Sequence, residues 1–238
     1  MKKYLILFVL ILIQGCSGGS SSDVSTPPPS ADADATGVWE GTFTENGVGT
    51  FSLTGIIEGN QMRFISTDGG AIYGGTISVS GTSFTATTTN IQIGGTVFAT
   101  ANLTGTVTTK STISGTFTSS TGSTGSFSVS YDPVTEKGSS LATTDGIWTV
   151  GSTTAIAIDS TGALTGSDTT GCVYLGAVSI IDPAVNIYDL SVSVSSCGIY
   201  DGTYAGYVVI TDNISPNDTL VFVANNSNFV FVNYLTRT

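Results

Sequence analysis

From Gly37 onward the 238-residue chain is written twice. Ala71-Ile72-Tyr73-Gly74-Gly75-Thr76-Ile77-Ser78 recurs 101 positions later as Cys172-Val173-Tyr174-Leu175-Gly176-Ala177-Val178-Ser179. At the same offset Leu103-Thr104-Gly105-Thr106-Val107 falls on Tyr204-Ala205-Gly206-Tyr207-Val208. Gly37-Val38-Trp39 returns as Gly146-Ile147-Trp148, which accounts for both tryptophans of the chain, and Phe127-Ser128-Val129 falls on Phe229-Val230-Phe231. Matches that keep one order point to two tandem copies of a single domain. Boundaries follow at 37–132 and 145–238, with a linker over 133–144.

Each copy reads as all-β. Thr, Ser, Gly, Val, Ile, Phe and Tyr dominate, no stretch sustains a period of 3.6, and alternation with period two is frequent. Phe127-Ser128-Val129-Ser130-Tyr131 is a clear case, while Phe229-Val230-Phe231-Val232 reads as more deeply buried. Strands are expected near 37–44, 49–57, 62–67, 71–80, 83–91, 97–109, 112–120 and 125–131. The second copy should repeat them near 146–150, 153–159, 162–167, 172–180, 186–196, 203–211, 219–225 and 229–235. Connections are short and rich in Gly, Asn, Asp and Ser, as antiparallel hairpins require. Eight meandering strands can close into a barrel without a free edge. Two tandem small antiparallel barrels are therefore expected, each with room for little more than its own side chains; a pair of β-sandwiches is the alternative.

The tripeptides Gly37-Val38-Trp39 and Gly146-Ile147-Trp148 resemble the G-x-W that opens the first strand of lipocalins and related small barrels. The resemblance implies that each tryptophan plugs one barrel end and that an arginine from the last strand packs across it. Arg237 is placed to stack on Trp148 as a cation–π pair; the first copy offers Lys137 near the equivalent place. Stacking of the tryptophans on a ligand is the other reading.

Ahead of the repeats lies a leader. Lys2 and Lys3 precede an apolar stretch from Tyr4 to Ile13, the layout of a secretory signal over 1–15. Ten apolar residues fall short of the roughly 20 a membrane span needs. Leu12-Ile13-Gln14-Gly15-Cys16 resembles the lipobox of bacterial prolipoproteins, which implies lipidation of Cys16 and retention at the envelope membrane. Ser17 after the cysteine resembles the signal for outer-membrane sorting. Residues 16–36, with Pro27-Pro28-Pro29 and Asp32-Ala33-Asp34-Ala35, read as the lipidated cysteine and a semi-rigid tether.

With Cys16 assigned to lipid, Cys172 and Cys197 form a lone pair in an exported chain, so a disulfide is expected. Cys172 opens the fourth strand of its copy and Cys197 closes the fifth, and antiparallel pairing brings such positions together. Closing a loop of about 26 residues stabilises by about 3.5 kcal/mol on the chain-entropy model. A metal site is the alternative, although two thiols without a histidine make a poor zinc set.

Charge and composition narrow the function. Past Cys16 there remain Arg63, Lys110, Lys137 and Arg237 against seventeen acids, a side-chain charge of 4 − 17 = −13. An acidic surface repels nucleic acid, so no nucleic-acid partner is expected. The absence of histidine removes the commonest general base and metal ligand. Asp68, Asp145, Asp168 and Asp201 are scattered and read as turn residues. Asp212-Asn213-Ile214-Ser215-Pro216-Asn217-Asp218 holds several oxygen ligands of the kind Ca²⁺ takes, but also reads as a plain turn. No catalytic, cofactor or metal residue is assigned. The chain reads as a non-enzymatic, envelope-anchored binding or structural module, with an envelope or extracellular protein as its expected partner. An enzyme inhibitor using the loop near 211–219, a carrier of small apolar ligands, and a carbohydrate-active enzyme with paired carboxylates are the alternatives.

Overall fold

The computed structural model describes residues 31–92, 96–212 and 218–238. The leader 1–15, Cys16, tether residues 17–30 and the loop positions 213–217 lie outside the described residues.

The first copy forms β1 (Gly37–Glu45), β2 (Gly49–Glu58), β3 (Gln61–Ser66), β4 (Ala71–Ser80), β5 (Ser83–Gln92), β6 (Val97–Thr108), β7 (Thr112–Ser119) and β8 (Thr124–Asp132). Every strand pairs with the next in antiparallel fashion, and β1 pairs with β8 to close the barrel. A 3-10 turn, Pro133–Lys137, and a single helical turn, α1 (Leu141–Thr144), lead to the second copy. It repeats the order with β9 (Gly146–Val150), β10 (Thr154–Ile158), β11 (Ala163–Asp168), β12 (Val173–Ile180), β13 (Tyr188–Ser195), β14 (Gly202–Ile210), β15 (Thr219–Asn225) and β16 (Val230–Arg237). A second closed barrel results, with β16 returning to β9. The structure thus has two tandem barrels, not sandwiches.

The sequence pattern explains the strands. In β13, Tyr188, Leu190, Val192 and Val194 are buried while Asp189, Ser191, Ser193 and Ser195 are exposed, because successive side chains point to opposite faces. Tight hairpins are made by glycines with positive φ: Gly81, at φ 59°, turns β4 into β5 within two residues. Inside the first barrel Gly105 faces Gly115, where a Cβ on Gly105 would lie 2.6 Å from the Gly115 Cα and 2.9 Å from the Phe84 ring. That contact lets Phe84 lie against the wall.

The repeat is faithful in strand order but not in phase. Trp39 pairs across the seam with Tyr131, and Trp148 with Arg237. Val129 and Leu235, two positions earlier, are both buried. The last strands are thus related by an offset of 106, and Phe127 corresponds to Asn233, not to Phe229. The seam also differs: β1 and β8 pair from Val38 to Glu45, whereas β9 meets β16 only at Trp148 and Thr149.

Both barrels close at the tryptophan end by one device. Trp39 is fully buried and its Nε1 donates to the Ala35 carbonyl at 2.9 Å; Trp148 is equally buried and donates to the Thr144 carbonyl at 2.7 Å. In the second barrel α1 supplies that carbonyl. In the first it comes from residues 31–36, which corrects the assignment of this segment to the tether. The Asp32 carboxylate accepts from the Gly81 N–H at 2.7 Å, the Ala33 N–H donates to the Gly81 carbonyl, and Ala35 is buried against Trp39. Here the Asp-Ala alternation is a strap across the barrel floor.

The barrels meet along a third apolar cluster. Tyr207 and Val209 of β14 and Val221 and Val223 of β15 point away from their own lumen and pack on Val38, Ile56 and Val134. Both faces of β14 and β15 are therefore buried, which is why Tyr207–Ile210 and Leu220–Ala224 are apolar without alternation. Arg63 lies over the Tyr207 ring at 4.6 Å and its Nε donates to Asn225 Oδ1 at 2.9 Å. Asn186 is buried and donates to the Val134 carbonyl of the linker and the Ile210 carbonyl of β14.

Candidate functional site: the lumen of the first barrel

An eight-stranded barrel has an interior that its side chains either fill or leave open to one small ligand. The two copies differ on this point. In the second, Tyr188, Leu190, Tyr204 and Leu220 are fully buried in one cluster with Trp148. Above them Tyr204 meets Phe231 at 4.5 Å between ring centroids, and Tyr200 meets Phe229 at 5.0 Å. Here the expectation of a barrel filled by its own side chains holds.

The first copy is hollow, which corrects that expectation for 37–132. A cavity of about 280 Å³ runs from Ile57, Met62 and Val129 near the floor to Val48, Phe98 and Thr121 at the far end. Its cause is local. The inward side of β6 carries Ala99 and Ala101, and Leu103 stands where the repeat places Tyr204. These small groups leave space that the aromatic residues around them do not enter. The upper wall is built on Phe43, whose ring lies 5.2 Å from Phe51, 5.7 Å from Tyr73 and 6.1 Å from Phe117. Around the mouth lie the β1–β2, β3–β4 and β7–β8 connections and the start of β6, where Val48 and Phe98 are exposed.

Few polar groups face the lumen. Thr88 and Asn90 are buried on consecutive inward positions of β5, and the Thr88 hydroxyl donates to Asn90 Oδ1 at 2.7 Å. Burial pushes the Tyr73 phenol up to about 12, with Glu45 and Asp68 adding to the effect. Asp68 is held ionised, its carboxyl lowered to about 2 by the hydroxyl and N–H of Ser52 and the hydroxyl of Ser66. In the second barrel Tyr174 donates to Asp168 at 2.8 Å. Tyr73, its counterpart, lines the cavity, and Asp68 accepts from the serines instead. Such a lumen can enclose an apolar molecule and orient it by one or two hydrogen bonds.

The sequence-predicted residues are placed as follows. Cys172 precedes β12, Cys197 follows β13, and the two are disulfide-bonded with Cα atoms 4.7 Å apart. The bond spans the end of the second barrel that corresponds to the first barrel's mouth; Ala71, the residue matching Cys172, lines the cavity. Arg237 stacks on Trp148, with its guanidinium carbon 4.3 Å from the ring centroid. In the first copy Tyr131, not Lys137, takes that place, edge-on to Trp39 at 5.4 Å. The Lys137 ammonium instead donates to the Asp212 carbonyl. Asp68, Asp168 and Asp201 accept backbone N–H groups at turns. Asp145 differs from the hairpin-tip expectation, following α1 and presenting its carbonyl to Arg237. The Asp212 carboxylate accepts from the Asp218 and Thr219 N–H groups, as a turn residue does.

Sequence reasoning missed the lumen residues Thr88, Asn90, Ala99 and Ala101. The available signal was β6 itself, where Ala99 and Leu103 stand at positions that the second copy, 101 residues on, gives to Tyr200 and Tyr204. Compared with protein-family models, curated proteins and solved structures, the chain gives no match.

Proposed function

We propose that this chain is an exported, lipid-anchored and non-enzymatic binding module whose first barrel carries a small apolar ligand, while the second acts as a sealed, disulfide-stapled support. One observation carries the reading: two barrels of the same topology, one filled and one hollow, with the hollow one lined by aromatic rings. A void of this kind forfeits dispersion contacts along its whole lining, a cost an occupant would offset. The cavity lies just below the range of roughly 300–1,000 Å³ typical of small-molecule sites. That size favours a ligand of modest length.

The test is occupancy of the lumen. An environment-sensitive apolar fluorophore should bind the purified chain with one site and brighten. Ala101→Phe places a ring in the cavity and should weaken that binding by at least about tenfold, with the far-UV circular dichroism unchanged. Equal binding by the parent and the variant would overturn the proposal. Anchoring is tested separately. Cys16→Ala should release the protein from the membrane fraction of cells and remove the acyl mass; retention with unchanged mass would show that Cys16 carries no lipid.

A further inference from the structure

We infer that the occupant of the first barrel is an amphiphilic organic cation, whose ammonium head sits at the mouth between Glu45 and the Phe43 ring cluster while its apolar tail runs down the lumen. The inference rests on the binding role proposed above and adds the class of ligand.

Glu45 is the last residue of β1 and shares the inward face with Phe43, two positions before it. It lines the cavity, half-buried, and forms no ion pair among the described residues. Each cation among the described residues is engaged elsewhere. Lys110 pairs with Glu136 at 2.9 Å, Arg63 lies on Tyr207 at the barrel junction, Arg237 lies on Trp148, and Lys137 reaches the Asp212 carbonyl. A carboxylate beside an apolar lumen, with every cation past Cys16 engaged elsewhere, leaves the positive charge to be brought by the ligand.

The surroundings favour the same sign. Phe51, Tyr73 and Phe117 gather around Phe43, and the faces of such rings attract alkylammonium groups. Asp68, fixed in its ionised form by Ser52 and Ser66, adds a second negative charge near Tyr73. The side-chain charge of −13 past Cys16 draws cations toward the protein and repels fatty carboxylates. Thr88 and Asn90 are neutral, so no group lining the described lumen compensates an anion.

The experiment compares three probes with one tail: octyltrimethylammonium, octanol and octanoate, each displacing the apolar fluorophore from the full chain at low salt. The ammonium should bind about tenfold tighter than octanol, octanoate should be the weakest, and the spread should shrink as salt is raised. Glu45→Gln should collapse the ammonium-to-octanol ratio towards one, and Glu45→Lys should turn the preference towards octanoate. An ammionium bound no tighter than octanol, or a ratio unmoved by either variant, overturns the cationic assignment while octanol binding still upholds the lumen. Failure of all three probes to displace the fluorophore overturns both.

Discussion

Trp148→Ala is expected to destabilise the second barrel by about 3–5 kcal/mol, the range for removing a large aromatic from a packed core. The side chain is fully buried and in contact with both the barrel wall and the segment that closes it. Three effects add. Arg237, the side chain stacked on the ring, is tied to the Thr143 and Asp145 carbonyls and so is held back from filling the cavity left behind. The Thr144 carbonyl loses its donor at the floor. Arg237 loses the ring under its guanidinium, in a place where its Nε already has no partner. The seam is vulnerable as well, because β9 meets β16 only at Trp148 and its neighbour. Urea unfolding followed by circular dichroism checks the magnitude. Trp39 is then the one remaining tryptophan, so its emission reports the first barrel separately. A loss below about 1 kcal/mol would mean that the plug does not hold the barrel closed.

Strand boundaries were legible because a small β-barrel imposes period two on nearly every residue. The expected and observed strands agree within a few positions around both barrels, and the shared order of the two copies decided closed meanders over sandwiches. Cys172–Cys197 was legible for a related reason: antiparallel pairing alone sets the start of β12 beside the end of β13. The Arg237–Trp148 stack followed from the G-x-W resemblance.

What the pattern concealed was volume. A binary reading treats Ala99 and Ala101 as inward apolar positions equivalent to any other, so a hollow and a filled barrel look alike until the side chains are in place. The strap over 31–36 was hidden differently. Asp-Ala repeats have the composition of a solvated tether, yet Asp32 caps the Gly81 turn, a contact remote in sequence, and Ala35 presents its carbonyl to the Trp39 indole, a side-chain contact that composition does not encode. The junction between barrels left a signal that was read only as depth: the unbroken apolar runs in β14 and β15 mark strands with two buried faces.

Reduction of the Cys172–Cys197 bond is expected to lower the stability of the second barrel by about 3.5 kcal/mol, the loop-closure value for about 26 residues. At roughly 2–4 °C per kcal/mol for a body of this size, the thermal midpoint should fall by about 7–14 °C. The loss should fall on the second barrel, because the first has Ala71 in the matching place and is closed without a staple. Local electrostatics sharpen the outcome. The Asp168 carboxylate lies within 4.8 Å of both sulfurs and is held ionised, its carboxyl lowered to about 2 by the Thr170 hydroxyl, the Tyr174 phenol and the Thr170 and Cys172 N–H groups. Below about pH 2, with Asp168 protonated, that turn loses the hydrogen bonds that lower its pKa, so their stabilisation is present above the ordinary aspartate range and fades as pH falls through it. Thiol titration of a Cys16→Ser chain separates the possibilities. Denatured without reductant it should show no reactive thiol; after reduction it should show the two from Cys172 and Cys197, with the lowered midpoint. Two reactive thiols before reduction, or a midpoint unmoved after it, would show that the bond does not staple the barrel.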